Sequence, residues 1–373
     1  MKAYVCSAKI RGMFFNVLLL IMVLIISLSF LEFGWRFFIN SGGIKRVWHP
    51  ELVLVNPPNA QWTIRSTEFT THMRSNSIGY RGPEMPKEKK RTDELRVLFL
   101  GDSFLEAAQV EEQERFSDLV ETQLREQLGQ SVTVRALGVA KYDPATELLV
   151  YRNLGRLFHS DIVIQVLFPE NDLTPRDGPY RFRQEGDQLF LEDIWVEPEQ
   201  PCSWKCQVLS HSRLAFHSYL FLRDMRRRVQ STVSTNEYSM YTNQGHKQYQ
   251  DEGRFVIFTA LVRALRDDVE TDGADFYTVL MPGAFEVQNK WKKEWIASTP
   301  GVPLDQWQPS QLLDTVKMHL KSSGIATFDL RPILQDADPD NLPLYYQTNA
   351  HLNVRGNVLV ADAITSLIVN ALQ

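Results

Sequence analysis

Four polar residues stand where an apolar run gives way to a turn, and together they carry the groups needed for acyl transfer. Ser103, in Gly101-Asp-Ser103, follows the run Arg96-Val-Leu-Phe-Leu100 at once. A serine on a tight strand-to-helix turn exposes its hydroxyl to a substrate and its N–H to a developing oxyanion. Gly, Asp and Ser are also ordinary turn residues, so the tripeptide alone is more often turn chemistry. Gly138, in Ala136-Leu-Gly-Val-Ala140, ends the next apolar run, where a missing Cβ lets backbone approach a ligand. An end-of-strand glycine without any such task is the simpler account. Asn171, in Phe168-Pro-Glu-Asn-Asp172, offers either a neutral amide donor for an oxyanion or a turn cap. His351 lies in Tyr345-Tyr-Gln-Thr-Asn-Ala-His-Leu-Asn-Val-Arg-Gly356. It is the imidazole that could take the serine proton, since a hydroxyl is a weak nucleophile without a neighbouring base. Of eight histidines, it alone occupies a strand-end loop ahead of a helix start containing glycine.

The elements that must position these groups alternate in type. A buried strand at 96–100 is followed by an amphipathic helix with Phe116, Leu119, Val120, Leu124 and Leu128 on one side, stopped by Gly129. A second strand spans 132–137. Asp143 and Pro144 form an N-cap and first-turn pair opening a helix to about Phe158, and a third strand covers 162–168. The alternation pauses over 172–250, read as an insertion that begins with a hairpin at 180–196. It resumes with a helix at 254–269, a strand at 276–281, a helix at 310–321, a strand at 325–330 and a last helix at 353–372. Strands alternating with helices give a parallel sheet covered on both faces, hence a three-layer α/β/α domain. Sites in such sheets lie beyond the carboxyl ends of the strands, where all four residues fall.

In order and spacing, Gly-Asp-Ser, Gly, Asn-Asp and a late His resemble the SGNH (GDSL) hydrolases. The resemblance covers roughly residues 74–372 and includes Arg74-Ser-Asn-Ser-Ile-Gly-Tyr-Arg-Gly82, a segment that often precedes the first block in exported members. It implies a flavodoxin-like parallel sheet and an esterase acting through an acyl-enzyme, with no metal and no organic cofactor. Ser103 would be the nucleophile and His351 its base. The oxyanion donors would be the N–H groups of Ser103 and Gly138 and the amide of Asn171. Two departures stand out. Ala136 and Leu137 occupy the place of the Asn that often precedes the block-two Gly. The Asp usual two or three residues before the catalytic His is missing, because Asn349 and Thr348 stand there. In serine proteases an Asp-to-Asn change at the equivalent role lowers kcat about 10⁴-fold. Three outcomes remain open: a Ser–His dyad oriented by Asn349, an acid borrowed from Asp329 at the end of the preceding strand, or lost turnover. Three functions follow. They are ester hydrolysis of an acylated glycan or lipid, O-acyl transfer to an exported polysaccharide, and a catalytically impaired glycan-binding homologue.

Composition narrows the setting. With 44% hydrophobic and 23% charged residues the chain is ordinary globular material. A net charge of −5 leaves no basic field for nucleic acid. Residues 13–33 form an apolar stretch preceded by Lys2, Lys9 and Arg11 and followed by Trp35, Phe37 and Phe38. That is a transmembrane anchor; a cleaved signal peptide is the alternative, but no A-x-A-like site follows. Residues 1–12 then form a short cytoplasmic terminus, 34–93 a proline-rich tether and lead-in, and 94–372 the hydrolase-like domain. The expected place is a bacterial inner membrane, single-pass, with the main domain outside the cytoplasm. Cys202 and Cys206 suit a small disulfide loop there; His211 and His217 make a metal site the rival.

Overall fold

The computed structural model describes residues 15–20, 22–24, 26–34, 46–49, 51–86, 93–173, 180–185, 188–194, 239–298, 303–337 and 339–373. Cys202, Cys206, His211 and His217 lie outside them. The chain divides into two compact units, Met1–Ser41 with Glu197–Thr232, and Gly42–Val196 with Val233–Gln373. In the first, helix α1 (Phe15–Gly34, 20 residues) is strongly apolar, with a mean hydropathy of 2.6 in its most apolar stretch, none of which is buried. At 1.5 Å per residue it is about 30 Å long, the thickness of a hydrocarbon core, so it is a candidate membrane span.

The second unit begins with two hairpins, β1 (Val47–His49) with β2 (Val53–Val55) and β3 (Gln61–Arg65) with β4 (Thr70–Arg74). Then come β5 (Glu94–Gly101), α2 (Ser103–Glu106), α3 (Phe116–Leu128), β6 (Ser131–Gly138), α4 (Pro144–Asn153), β7 (Ile162–Leu167) and α5 (Pro169–Asp172). A hairpin of β8 (Tyr180–Glu185) and β9 (Gln188–Ile194) follows, as the sequence predicts. The remainder is α6 (Asn243–Asp251), α7 (Arg254–Thr271), β10 (Asp275–Leu280), α8 (Ala284–Val287), α9 (Asn289–Ser298), α10 (Gln311–Ser322), β11 (Thr327–Asp329), α11 (Arg331–Asp336) and α12 (Val354–Ala371).

The main sheet has five parallel strands in the order β6-β5-β7-β10-β11. In chain order that is 2-1-3-4-5, the flavodoxin-like winding, whose ligand crevice lies between the first and third strands. Strand β5 is apolar on both faces because both are covered. Val97 and Phe99 enter one core with α3 and α12, whereas Leu98 and Leu100 enter the other with α4, α7 and α10. Helix ends follow local chemistry: the Asp143 side chain caps Thr146 N–H at 2.9 Å, and Gly129 closes α3 at φ +62°.

Two stretches differ from expectation. The 34–93 segment carries β1 to β4, and Leu52, Val55 and Tyr80 enter the domain core, so its described part is folded against the sheet. Its prolines mask the strands in the sequence. Helix α6 falls inside the stretch read as insertion; its sequence Asn-Gln-Gly-His-Lys-Gln-Tyr-Gln-Asp is polar, and it buries only Gly245, His246 and Tyr249.

Candidate active site

Each of the four blocks ends at the same rim. Strand β5 runs straight into Asp102, whose carboxylate caps α2 by accepting Phe104 N–H at 2.9 Å. Its other oxygen accepts the Asn171 amide at 2.6 Å, joining the first block to the third. Ser103 is therefore the first helical residue, where backbone N–H groups have no intrahelical acceptor. Beside it, Gly101 pairs with Gly138 in the β5–β6 register. Leu105 of α2 packs onto Gly138 so closely that a Cβ there would lie 2.8 Å from Leu105 Cβ. Gly138 thus lets the helix that begins at Ser103 settle on the end of β6.

His351 reaches the same place from the loop before α12. Its Nε2 lies 2.9 Å from Ser103 Oγ, and its Nδ1 lies 2.9 Å from the backbone carbonyl oxygen of Asn349. A carbonyl can only accept, so Nδ1 carries the proton and donates, leaving the Nε2 lone pair for the serine hydroxyl. That is the tautomer a general base needs. The Phe104 ring lies beside the imidazole with centroids 4.9 Å apart, and Phe168 lies 4.6 Å beyond Phe104. Ser103 and His351 are both half-buried, leaving the pair open to solvent.

The missing carboxylate is not supplied by Asp329. That residue ends β11, and its carboxylate binds Lys317 Nζ at 3.1 Å and Arg331 through both backbone N–H and guanidinium at 3.0 Å. Both ring nitrogens of His351 are engaged elsewhere. Asn349 does orient His351, but through its main chain; its side-chain oxygen is buried without a hydrogen-bond partner. Ala350, between the two, adopts φ +57°, a left-handed conformation uncommon for a residue with a Cβ.

Other buried groups shape the surroundings. Burial pushes Glu147 well above the usual carboxylate range, while Gln165 donates to it at 2.7 Å. Burial, then repulsion from Glu147, raises Asp172 likewise. Burial lifts Glu170 to about 7 against a hydrogen bond from Tyr241, with Asp102 adding to the rise. Burial thus favours the protonated forms of Glu147 and Asp172, and leaves Glu170 near half-protonation at neutral pH. Arg81, from the lead-in segment, donates to the carbonyls of Glu106, Ala107 and Val110 just after α2. Burial, followed by the nearby Arg115, brings its guanidinium down to about 9. Glu106 in turn accepts from Arg46, Asn56 and Ala140 N–H, tying the lead-in and the second block to the nucleophile's helix. No group of three or more His, Cys, Asp or Glu is placed for a metal among the described residues.

Sequence reasoning did not single out Asp102, Phe104, Phe168 or Glu106. The first was within reach, since an Asp before a helix start is an N-cap signal. The others act through contacts that no local pattern reports.

Residues 238–373, which include His351 but not Ser103, match a family described as ALGX, the SGNH hydrolase-like domain of acetyltransferase AlgX. By that match residues 238–373 form an SGNH hydrolase-like domain. No curated protein matches it. Among solved structures, it is similar to an acetyl xylan esterase, AlAXEase, at 11% identity over 74% of this chain and 100% of that one, TM-score 0.39. It is also similar to the lipase Lip_vut3 from a goat rumen metagenome (11%, 73% and 96%, TM-score 0.39). The psychrotrophic esterase EstA from Pseudoalteromonas sp. is a third (10%, 74% and 98%, TM-score 0.37).

Proposed function

We propose that this chain is a serine esterase that cleaves an acyl ester through an acyl-enzyme on Ser103. The observation that supports it is the 2.9 Å contact between His351 Nε2 and Ser103 Oγ, with Nδ1 donating to the Asn349 carbonyl. Ser103 Oγ attacks the acyl carbonyl carbon while His351 Nε2 takes its proton. The oxyanion is met by the N–H groups of Ser103 and Gly138 and by the Asn171 amide, whose second N–H is unused among the described residues. Collapse expels the alcohol, protonated by His351, and water then releases the acid by the reverse sequence. A carbonyl dipole compensates the transient imidazolium less than a carboxylate does, so the dyad is slower than a full triad.

The acyl group fits an O-acetyl ester on an envelope glycan or a lipid ester. Helix α1 would hold the domain at a bacterial inner membrane, on the extracytoplasmic side. The match to the AlgX family favours a second reading in which a glycan hydroxyl replaces water, making the chain an O-acetyltransferase acting on exported polysaccharide. Product analysis with an acetylated donor, with and without a glycan acceptor, tests both. Free acetate formed at equal rates under both conditions supports hydrolysis, and acetylated glycan supports transfer. Neither product from well-folded protein contradicts both.

A further inference from the structure

The loop that carries His351 is small and self-closed. Tyr346 N–H donates to the His351 carbonyl at 2.9 Å, Ala350 N–H donates to the Tyr346 carbonyl at 3.1 Å, and Tyr345 bridges to Leu352. These bonds leave the N–H groups of Gln347 and Thr348 facing outward at the tip. Both are taken by one side chain from far away in sequence. Glu68 Oε1 accepts Gln347 N–H at 2.6 Å, and Oε2 accepts Thr348 N–H at 2.7 Å together with the Thr348 hydroxyl. Chelating two successive amides fixes the peptide planes immediately before Asn349, whose carbonyl orients the imidazole. The next residue, Phe69, adds a ring contact to Tyr346 with centroids 4.8 Å apart.

The same hairpin is fastened to the nucleophile's side. Thr71 donates to the Ala108 carbonyl at 2.8 Å, and His72 N–H donates to Glu111 at 3.1 Å. Arg74 makes two bonds of 2.9 Å to Glu112. Tyr346 reaches the Gln109 carbonyl at 3.3 Å. The β3–β4 hairpin therefore spans the two segments whose side chains must meet, the one following Ser103 and the one preceding His351. We infer that Glu68 is a positioning residue that holds the His351 loop against the nucleophile's segment, so that the imidazole stays in register with Ser103. The inference rests on the Ser103–His351 reading above. Burial works against a charge on Glu68, but bonds from the Thr348 hydroxyl and from the N–H groups of Thr348 and Gln347 outweigh it. The carboxyl is held below its ordinary value. The bonds are charge-assisted and directional, and because Glu68 is only half-buried their effect on global stability is small.

The experiment compares full-length wild type with Glu68→Ala, Glu68→Gln and Arg65→Ala, a charge removed from the same hairpin. It measures the rate of fluorophosphonate adduct formation, kcat and KM on p-nitrophenyl acetate, and hydrogen exchange at the amides of Gln347 and Thr348. For Glu68→Ala, labelling and kcat should fall about tenfold, the scale of a modest misplacement of a reacting group, with KM unchanged and both amides exchanging faster. Glu68→Gln, which keeps one acceptor oxygen, should lie between, and Arg65→Ala should match wild type. The inference is overturned if Glu68→Ala labels at the wild-type rate while its loop amides exchange faster. A wild type that does not label at all means instead that the dyad reading has failed, and the positioning role fails with it.

Discussion

Ser103 and His351 are supported in opposite ways. Ser103 stands on a buried parallel strand, in a first turn capped by Asp102, with Leu105 packed onto Gly138 and the carbonyls after α2 held by Arg81. His351 stands on a loop whose neighbours Gln347 and Thr348 are exposed and whose fixings include one main-chain carbonyl, one left-handed alanine and one distant carboxylate. The geometry around Ser103 is set by core packing, so it resists perturbation. The geometry around His351 is set by a few polar contacts at the surface, so it is the half that single substitutions can tune. A backbone carbonyl in place of a carboxylate fits that division: it fixes the tautomer without requiring a buried charge.

Removing either partner gives the largest effect and does not distinguish the halves. Ser103→Ala and His351→Ala should each lower kcat roughly 10⁴-fold or more in an ester-hydrolysis assay, with the double variant no worse, because the two groups act as a unit. Asn171→Ala sharpens the comparison from the rigid side. Loss of an oxyanion donor should lower kcat about 10²- to 10³-fold, and an effect below threefold would remove Asn171 from the oxyanion site. On the tunable side, Ala350→Val places a β-branched residue at φ +57°, a conformation whose strain is about 1–3 kcal/mol. It should lower kcat while Ala350→Gly preserves it. Asn349→Ala keeps the main-chain carbonyl and should alter kcat by less than about threefold, since its side-chain oxygen has no hydrogen-bond partner to lose. A large drop there would mean that the amide, rather than the carbonyl, orients the ring.

The smallest expected effect concerns pH. The folded state keeps the Glu170 proton up to about pH 7, whereas the unfolded chain releases it near the ordinary carboxylate value of 4.5. Between those values folding takes up a proton, so stability falls as pH rises through the window. Glu170→Gln should therefore raise Tm by roughly 2–4 °C at pH 8 and leave it unchanged near pH 4. Equal shifts at both pH values would remove burial of an ionisable group as the cause.

The division also explains what could be read from the chain. The parallel sheet was legible, since buried strands such as 96–100 and 162–167 are continuous apolar runs and their helices keep a three-four spacing. Ser103, Gly138 and Asn171 could be placed at the sheet's rim because each lies at or just past a strand end, and His351 because it precedes the last helix. How the base is held was not. Asn349 reads as a lost carboxylate, and the carbonyl that takes the Nδ1 proton is common to every residue type. Asp329 has a chemistry suited to the role, yet the choice of Lys317 and Arg331 as its partners is made by packing. Glu68 lies 279 residues from Gln347 in sequence, in a stretch whose prolines suggest a tether. Contacts of that range leave no periodic trace.

Peptide mapping of the full-length protein after brief fluorophosphonate treatment, run beside His351→Ala and Asn349→Ala, bears most directly on a serine activated by an imidazole that a main-chain carbonyl orients. A single adduct on Ser103 is expected in wild type and in Asn349→Ala, and none in His351→Ala. No adduct on folded wild type, or an adduct forming equally fast without the imidazole, would contradict it.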